Sequence, residues 1–181
     1  PSLHKKNLEK KINYKELFDK FGLPKNKKII FYPAQFWAHE NHKYLIDVLN
    51  ILKSRNNNNF FFVFCGDNKG NFNYIKNLIK DNKLETHVKI LNFINDNDVI
   101  SLYLNSNAIV MPTFCGPTNL PIFEAFYFKK IIFYTKDLIK DNELNDHLIN
   151  IDISNPEDFC EKLEICYEED KIENITKKNY E

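Results

Sequence analysis

The chain has little of several residue types, and each shortage narrows what the protein can do. Its 181 residues contain a single arginine, Arg55, and 25 basic side chains are matched by 25 acidic ones. A net charge of zero provides no basic field that would attract a nucleic acid or an anionic membrane surface. We therefore expect no nucleic-acid partner.

The four cysteines show neither a C-x-x-C pair nor the spacing of metal ligands. They are Cys65, Cys115, Cys160 and Cys166, and we expect free thiols in a reducing cytosol. The sequence also has no signal peptide and no apolar run of 18 residues. These features predict a cytoplasmic location, with no membrane span in this part of the chain.

Several familiar nucleotide and catalytic motifs are missing as well. No G-x-G-x-x-G follows the first predicted strand, which argues against dinucleotide binding of the dehydrogenase type. The P-loop pattern G-x-x-x-x-G-K-[ST], the nucleophile elbow G-x-S-x-G and the zinc motif H-E-x-x-H do not occur. Any nucleotide site must therefore be built in another way.

Continuous apolar runs alternate with amphipathic stretches along the chain. Such runs, for example F-F-F-V-F-C, are typical of strands covered on both faces of a parallel sheet. The pattern predicts an α/β fold, a Rossmann-like, doubly wound, parallel six-stranded sheet with right-handed crossovers. A ligand is then expected at the carboxyl ends of the strands, at the topological switch point. The predicted strands are residues 28–33, 60–66, 88–93, 108–112, 131–135 and 148–151.

The ends of the chain have their own composition. Residues 1–12 are polar and rich in lysine, and we interpret them as a linker or tail preceding a domain over residues 13–181. Residues 14–21 are predicted to form a helix that Gly22 ends, and residues 157–181 are predicted to form the last helix. The chain begins at Pro1 without methionine, which fits either a fragment of a longer protein or removal of an initiator methionine before proline.

The stretch 112–125, P-T-F-C-G-P-T-N-L-P-I-F-E-A, predicts a strand end, a tight loop and a helix start. Gly116 gives the loop conformational freedom and Pro117 fixes the next residue. Thr118 or Asn119 can cap the helix, and a proline is tolerated in the first turn.

The start of that helix is predicted to bind a nucleotide. Free N–H groups at a helix N-terminus, here those of Thr118, Asn119 and Leu120, form an anion site. Glu124 follows about one turn later, and a carboxylate accepts hydrogen bonds from a diol such as ribose. The pattern therefore predicts a diphosphate at the helix N-terminus and a pentose on Glu124.

Three motifs in this order resemble the group 1 family of retaining glycosyltransferases, which have the GT-B fold. They are the stretch 112–125, Y-P-A-Q-F-W-A-H-E-N-H at 32–42 and G-D-N-K-G-N at 66–71. The similarity covers roughly residues 14–162 and corresponds to the C-terminal, donor-binding half of such enzymes. The N-terminal, acceptor-binding half is expected outside this chain.

The resemblance implies transfer of a hexose from a GDP- or UDP-sugar to a glycan or lipid-linked acceptor in polysaccharide biosynthesis. It implies no cofactor and no obligatory metal, and the sequence has no Asp-x-Asp motif at a strand end. Catalytic groups are expected in the absent half, so this chain alone should bind nucleotide without turnover. That half is also where peripheral membrane association would arise.

The first loop departs from the family pattern. Gln35 and Glu40 stand where the family usually has a basic residue and a lysine. His39 and His42 either donate to the phosphates or form a solvated turn pair, and Lys69 either reaches the phosphates or is a surface lysine. Trp37 is either a packing anchor or a ligand contact.

A second departure is Gly116, which replaces the first acid of the family's E-x7-E pattern and leaves Glu124 as the second. Gly66 and Asp67 are predicted near the phosphates, where glycine permits close backbone approach. Phe93 and Ile94 are predicted to contact the base, while Cys65 and Cys115 either line the crevice or are small core residues.

Two other hypotheses remain beside the glycosyltransferase interpretation. Glu40 and Gly116 are consistent with a binding or interaction module that kept the fold without the chemistry. An unrelated α/β enzyme using the same crevice has support only at the level of the fold.

Overall fold

The computed structural model describes residues 14–92, 94–115, 120–136, 138–139 and 142–168. The predicted tail at 1–12 and the second half of the predicted last helix lie outside the described residues. The division of the chain at residues 12 and 13 therefore stays a prediction.

The described residues form one six-stranded sheet in which every pairing is parallel. The order β3-β2-β1-β4-β5-β6 is that of a doubly wound Rossmann-like sheet, as predicted. β1 and β4 end one residue early because Pro33 and Pro112 have no N–H for the ladder. The strands are β1 Lys28–Tyr32, β2 Phe60–Cys65, β3 Val88–Leu91, β4 Ala108–Met111, β5 Ile131–Thr135 and β6 Ile149–Ile151.

Helices connect consecutive strands and cover the sheet. The apolar periodicity in the sequence predicted α2 to α5, and each is present. The helices are α1 Tyr14–Phe21, α2 His42–Ser54, α3 Phe72–Asp81, α4 Asp96–Asn105, α5 Leu120–Tyr127, α6 Asn142–Asn145 and α7 Pro156–Glu168, with a 3₁₀ turn at Ala38–Glu40.

The core lies on both faces of the sheet. All residues of β2, β4 and β5 are buried, as expected for central strands between two helical layers. None of the described helices combines the length and apolar character that crossing a membrane would require.

The N-terminal helix is joined to α4 by a charged contact. Asn95 caps α4 by accepting a hydrogen bond from the Asp98 N–H at 3.0 Å, and its amide donates to the Asp98 carboxylate at 2.7 Å. The Lys20 ammonium donates to the same carboxylate at 2.6 Å. These bonds fix the start of α4, and with it one wall of the crevice described below.

Candidate functional site

A cavity of about 610 Å³ opens at the carboxyl ends of the strands, beside β1 and β4, where the order of the strands in the sheet reverses. Ligands of doubly wound sheets bind at this topological switch point. Its walls come from the loops after the first four strands, the start of α5 and the end of β5. The lining residues are Pro33, Ala34, Gln35, Trp37, His39, Glu40, Cys65, Gly66, Asp67, Asn92, Ile94, Asp96, Val99, Met111, Thr113, Cys115, Leu120, Pro121, Glu124 and Tyr134.

Hydrogen bonds join the two loops that meet at the switch point. The Asn41 side-chain amide donates to the Pro112 carbonyl at 3.1 Å, and the Phe114 N–H donates to the His39 carbonyl at 2.9 Å. Asn41 adopts a left-handed conformation (φ 56°), which asparagine tolerates better than most residues. The floor of the cavity is therefore held by one main-chain hydrogen bond and one from the Asn41 side chain.

Gly66 is required by the packing of one loop against another. A Cβ at this position would lie 2.2 Å from the Ala34 carbonyl oxygen and 2.7 Å from the Gln35 Cα. The two loops are also paired, since the Phe36 N–H donates to the Asp67 carbonyl at 2.9 Å. The sequence predicted that another group would lie close to the Gly66 backbone. In this structure that group is the backbone of the loop after β1, at Ala34 and Gln35.

Glu124 faces the cavity from α5 and is held in place by Tyr103. The Tyr103 hydroxyl donates to the Glu124 carboxylate at 2.7 Å. Burial raises the pKa of Glu124, and the hydrogen bond from Tyr103 opposes that rise. The carboxylate thus has a fixed orientation and retains acceptor capacity toward the cavity.

Tyr103 is a site residue that the sequence motifs do not include. Its ring is fully buried between Phe31 and Phe128, at centroid distances of 5.2 Å to each. A tyrosine on the apolar face of a helix was the available signal, because a buried hydroxyl requires a polar partner. The partner could not be named before the packing of α4 against α5 was known.

Glu40 lines the cavity from the 3₁₀ turn, and its side chain is only 15% exposed. The Tyr32 hydroxyl contacts both the Glu40 backbone carbonyl and, at 3.1 Å, the carboxylate. Burial raises the pKa of Glu40, while the Tyr32 hydrogen bond, the nearby His39 and Thr113 lower it.

His42 is not at the cavity surface, so the phosphate contact predicted for its side chain is wrong in this structure. The ring is fully buried, stacked on Phe36 at 4.3 Å and adjacent to Tyr32 and Phe64. The alternative of a solvated turn pair is wrong for the same reason. The aromatic residues of β1, β2 and the first loop enclose the start of α2, and this enclosure was not visible in the sequence.

The other half of that histidine pair, His39, does line the cavity, beside Trp37 and Gln35. The Trp37 indole donates to the Gln35 side-chain oxygen at 3.0 Å, and its ring stacks on His39 with centroids 6.1 Å apart. Trp37 is 43% exposed, so it forms part of the cavity wall and is not a core anchor.

The remaining predicted site residues divide into three groups. Asp67, Ile94 and Leu120 line the cavity, as do Cys65 and Cys115. Lys69 is exposed and does not line it. The residues outside the described part of the chain are Phe93, Gly116, Pro117, Thr118 and Asn119, and their roles stay predictions.

Among the described residues that line the cavity, acidic side chains outnumber basic ones. Its lining includes the carboxyl groups of Glu40, Asp67, Asp96 and Glu124, and within the described lining His39 is the one basic side chain. The four loop residues at 116–119 add no charge, because they read G-P-T-N. Among the described residues, no group of three or more histidine, cysteine, aspartate or glutamate side chains is arranged to hold a metal ion.

Comparisons with solved structures identify the fold. A glycosyltransferase from Rickettsia africae ESF-5 superposes with a TM-score of 0.76 at 24% identity, over 92% of this chain and 45% of that one. Anabaena HepE in complex with UDP and glucose gives 0.72 at 16%, over 92% and 46%. The chain therefore spans about half the length of these proteins.

A third structure has nearly the same extent as this chain. It is the C-terminal domain of the group 1 family glycosyltransferase LpcC from Francisella tularensis, with a TM-score of 0.72 at 16% identity, covering 93% of this chain and 90% of that one. No curated protein sequence matches.

A sequence profile described as glycosyl transferases group 1 matches residues 13–181, which is nearly the whole chain. The six-stranded parallel sheet, the switch-point cavity and the structural neighbours agree with that match. The chain belongs to the group 1 glycosyltransferase family and has a Rossmann-like domain of the GT-B type.

Proposed function

We propose that this chain is the donor-binding half of a retaining glycosyltransferase, which transfers a hexose from a nucleotide diphosphate sugar to a glycan or lipid-linked acceptor. The observation that carries the proposal is the Glu124 carboxylate, oriented by Tyr103 one turn into the helix that starts at the cavity. A ribose diol can donate two hydrogen bonds to such a carboxylate.

The start of α5 supplies the second part of the proposed site. Leu120 and Pro121 line the cavity, and the first N–H groups of a helix have no partner within the helix. These groups and the positive end of the helix dipole would stabilise the charge of the departing diphosphate. The face of the base would lie against the apolar side chains of Ile94 and Val99, which also line the cavity.

The neighbours support a nucleotide diphosphate as the ligand. The structures of Anabaena HepE and of the pneumococcal O-GlcNAc transferase GtfA are complexes that contain UDP. By analogy we propose a UDP- or GDP-sugar here, with the acceptor bound mainly by an N-terminal half outside this chain.

The first test is a calorimetric titration of the 181-residue chain with UDP, GDP and ADP. We expect millimolar or tighter binding of at least one nucleotide, with competition by the corresponding nucleotide sugar. Trp37 is the only tryptophan and lines the cavity, so its fluorescence should change in the same titration. Absence of binding by all three nucleotides would contradict the proposal.

Replacing Glu124 with glutamine should weaken nucleotide binding at least tenfold. The substitution removes a charge-assisted hydrogen bond worth about 1.5–3 kcal/mol while keeping the shape of the side chain. Glu85→Gln serves as the matched control, because Glu85 is exposed and lies away from the cavity. Equal affinities of the Glu124→Gln chain and the control would remove Glu124 from the site.

The chain by itself should bind nucleotide without transferring sugar. The acceptor-binding and catalytic side chains are proposed to lie in the N-terminal half of the enzyme. A half of that size would account for the remaining length of the neighbours. Incubation with labelled nucleotide sugar and a glycan acceptor should release no sugar-linked product. Measurable transfer by the isolated chain would refute this prediction.

A second candidate is a binding module that retains the fold without taking part in transfer. The observation in its favour is the negative charge of the cavity, with Glu40 in a loop that would face the phosphates. The same titrations separate the two candidates, because the module should show no nucleotide-dependent change at Trp37.

A further inference from the structure

The hydroxyl groups beside Glu40 also donate to backbone carbonyls, which compete with its carboxylate for their protons. The single proton of the Tyr32 hydroxyl has two acceptors, the Glu40 backbone carbonyl and the carboxylate oxygen Oε2, and the contact with the carbonyl is the shorter. The Thr113 hydroxyl also lies beside Glu40, but its single proton has two backbone carbonyls as further acceptors, the Cys115 oxygen at 2.7 Å and the His39 oxygen at 3.1 Å. The Glu40 carboxylate therefore shares both of these donors with backbone carbonyls.

The other groups that face Glu40 do not supply a further hydrogen bond to its carboxylate. The His39 Nε2 atom lies 3.7 Å from Oε1, beyond hydrogen-bond distance. Tyr134 approaches from β5, and its own pKa is raised by burial and by Glu40. A proton on Glu40 would complete the network, because the carboxyl could then donate to the Tyr32 oxygen at 3.1 Å while Tyr32 donates to the carbonyl.

A diphosphate in the same cavity would favour that proton further. The described lining has four carboxyl groups and no lysine or arginine that could balance the ligand. Coulomb repulsion from the ligand would therefore raise the free energy of ionised Glu40 relative to the protonated form. We expect this repulsion to change the affinity at least tenfold, which corresponds to about 1.4 kcal/mol.

We propose that Glu40 carries a proton whenever a nucleotide diphosphate occupies the cavity, so that ligand binding takes up one proton. The inference rests on the proposed function and deepens it. The protonation state of Glu40 then sets the affinity of the cavity for negatively charged ligands. The affinity for phosphorylated ligands therefore depends on pH. An uncharged nucleoside should not show this dependence.

The test is calorimetry of the chain with UDP-glucose from pH 5 to pH 8, in buffers with different enthalpies of ionisation. UDP-glucose is chosen because its diphosphate does not titrate in this range. We expect the heat to reveal uptake of about one proton, and affinity to fall by up to tenfold per pH unit where uptake is observed. Uridine is the control ligand, and its affinity should be constant across the range.

Two variants assign the proton to its residue. Glu40→Gln keeps the shape of the side chain and is neutral at every pH, so it should abolish proton uptake and bind UDP-glucose at least tenfold more tightly than the wild type at pH 8. His39→Asn removes the imidazole next to Glu40 in the same turn, and it should retain the uptake. Uptake that survives Glu40→Gln, or that disappears with His39→Asn, would overturn the inference.

The outcomes for the inference and for the proposed function are distinct. Binding of UDP-glucose with no proton uptake would refute the role of Glu40 and leave the donor-site proposal standing. No binding by the wild type or by Glu40→Gln at any pH would refute both.

Discussion

Replacing Gly66 with alanine should lower the free energy of unfolding by about 3 kcal/mol or more. The new methyl group would lie 2.2 Å from the Ala34 carbonyl oxygen, and the opposing atoms are backbone that cannot move as a side chain does. Overpacking at such sites costs about 1–3 kcal/mol, and the value rises when main chain must shift. Chemical denaturation of both proteins measures the difference.

The same substitution should also weaken nucleotide binding, because the β1 loop forms one wall of the cavity. Gly70→Ala is the matched control. It has a strained φ of +103° but no atom within 4 Å of the added Cβ, so a loss of about 1–2 kcal/mol is expected with the cavity intact. Equal losses of stability in the two variants would show that steric contact at Gly66 is unimportant.

His42 should make the protein lose stability in mild acid. Burial lowers the pKa of His42 to about 3, with slight opposition from the Ala34 backbone, and neither ring nitrogen has a hydrogen-bond partner of good geometry in the described chain. The unfolded chain binds a proton near pH 6.5, so the folded state binds fewer protons below that value. Stability is complete above pH 6.5 and falls by roughly 1.4 kcal/mol per pH unit as the pH drops toward 3.

Denaturation at pH 7 and pH 5 isolates this contribution. The wild type should lose about 2 kcal/mol more than His42→Phe between the two values, since phenylalanine keeps the contacts with Phe36 and does not titrate. His42→Gln is the control for packing, because it also lacks a titrating ring but does not fill the aromatic pocket. Glu40 and Glu124 are common to all three chains, so their titration cancels. An equal acid dependence in all three would rule out His42 as its source.

Much of the fold was accessible from local patterns. Runs such as F-F-F-V-F-C contain no polar alternation, and a strand of that composition must be covered on both faces. The helical repeats between them then require right-handed crossovers, and these lead to a parallel doubly wound sheet. Strand ends differed by one or two residues where a proline interrupts the ladder or a polar loop begins.

The site was accessible in part, for a similar reason. Glu124 follows a proline-containing helix start at a strand end, and this arrangement is readable along the chain. Its partner Tyr103 is 21 residues away on another helix, and their contact depends on how α4 and α5 pack. His42 is the reverse case, a residue that the sequence placed at the site and the structure does not. It stands beside a polar loop and was therefore interpreted as a ligand contact, but aromatic side chains from other segments enclose it.

The sequence alone determined the alternation of strands and helices, the family and the general position of the cavity, because these depend on short-range patterns of apolar residues, glycine and proline. Only the tertiary structure decided which polar side chains face that cavity and which groups hold them. Three features arise between residues on different elements. They are the hydrogen bond of Glu124, the contact of the Tyr32 hydroxyl with Glu40 and the burial of His42. Their physical cause is the packing of those elements, which removes water from some polar groups and leaves others at the cavity surface.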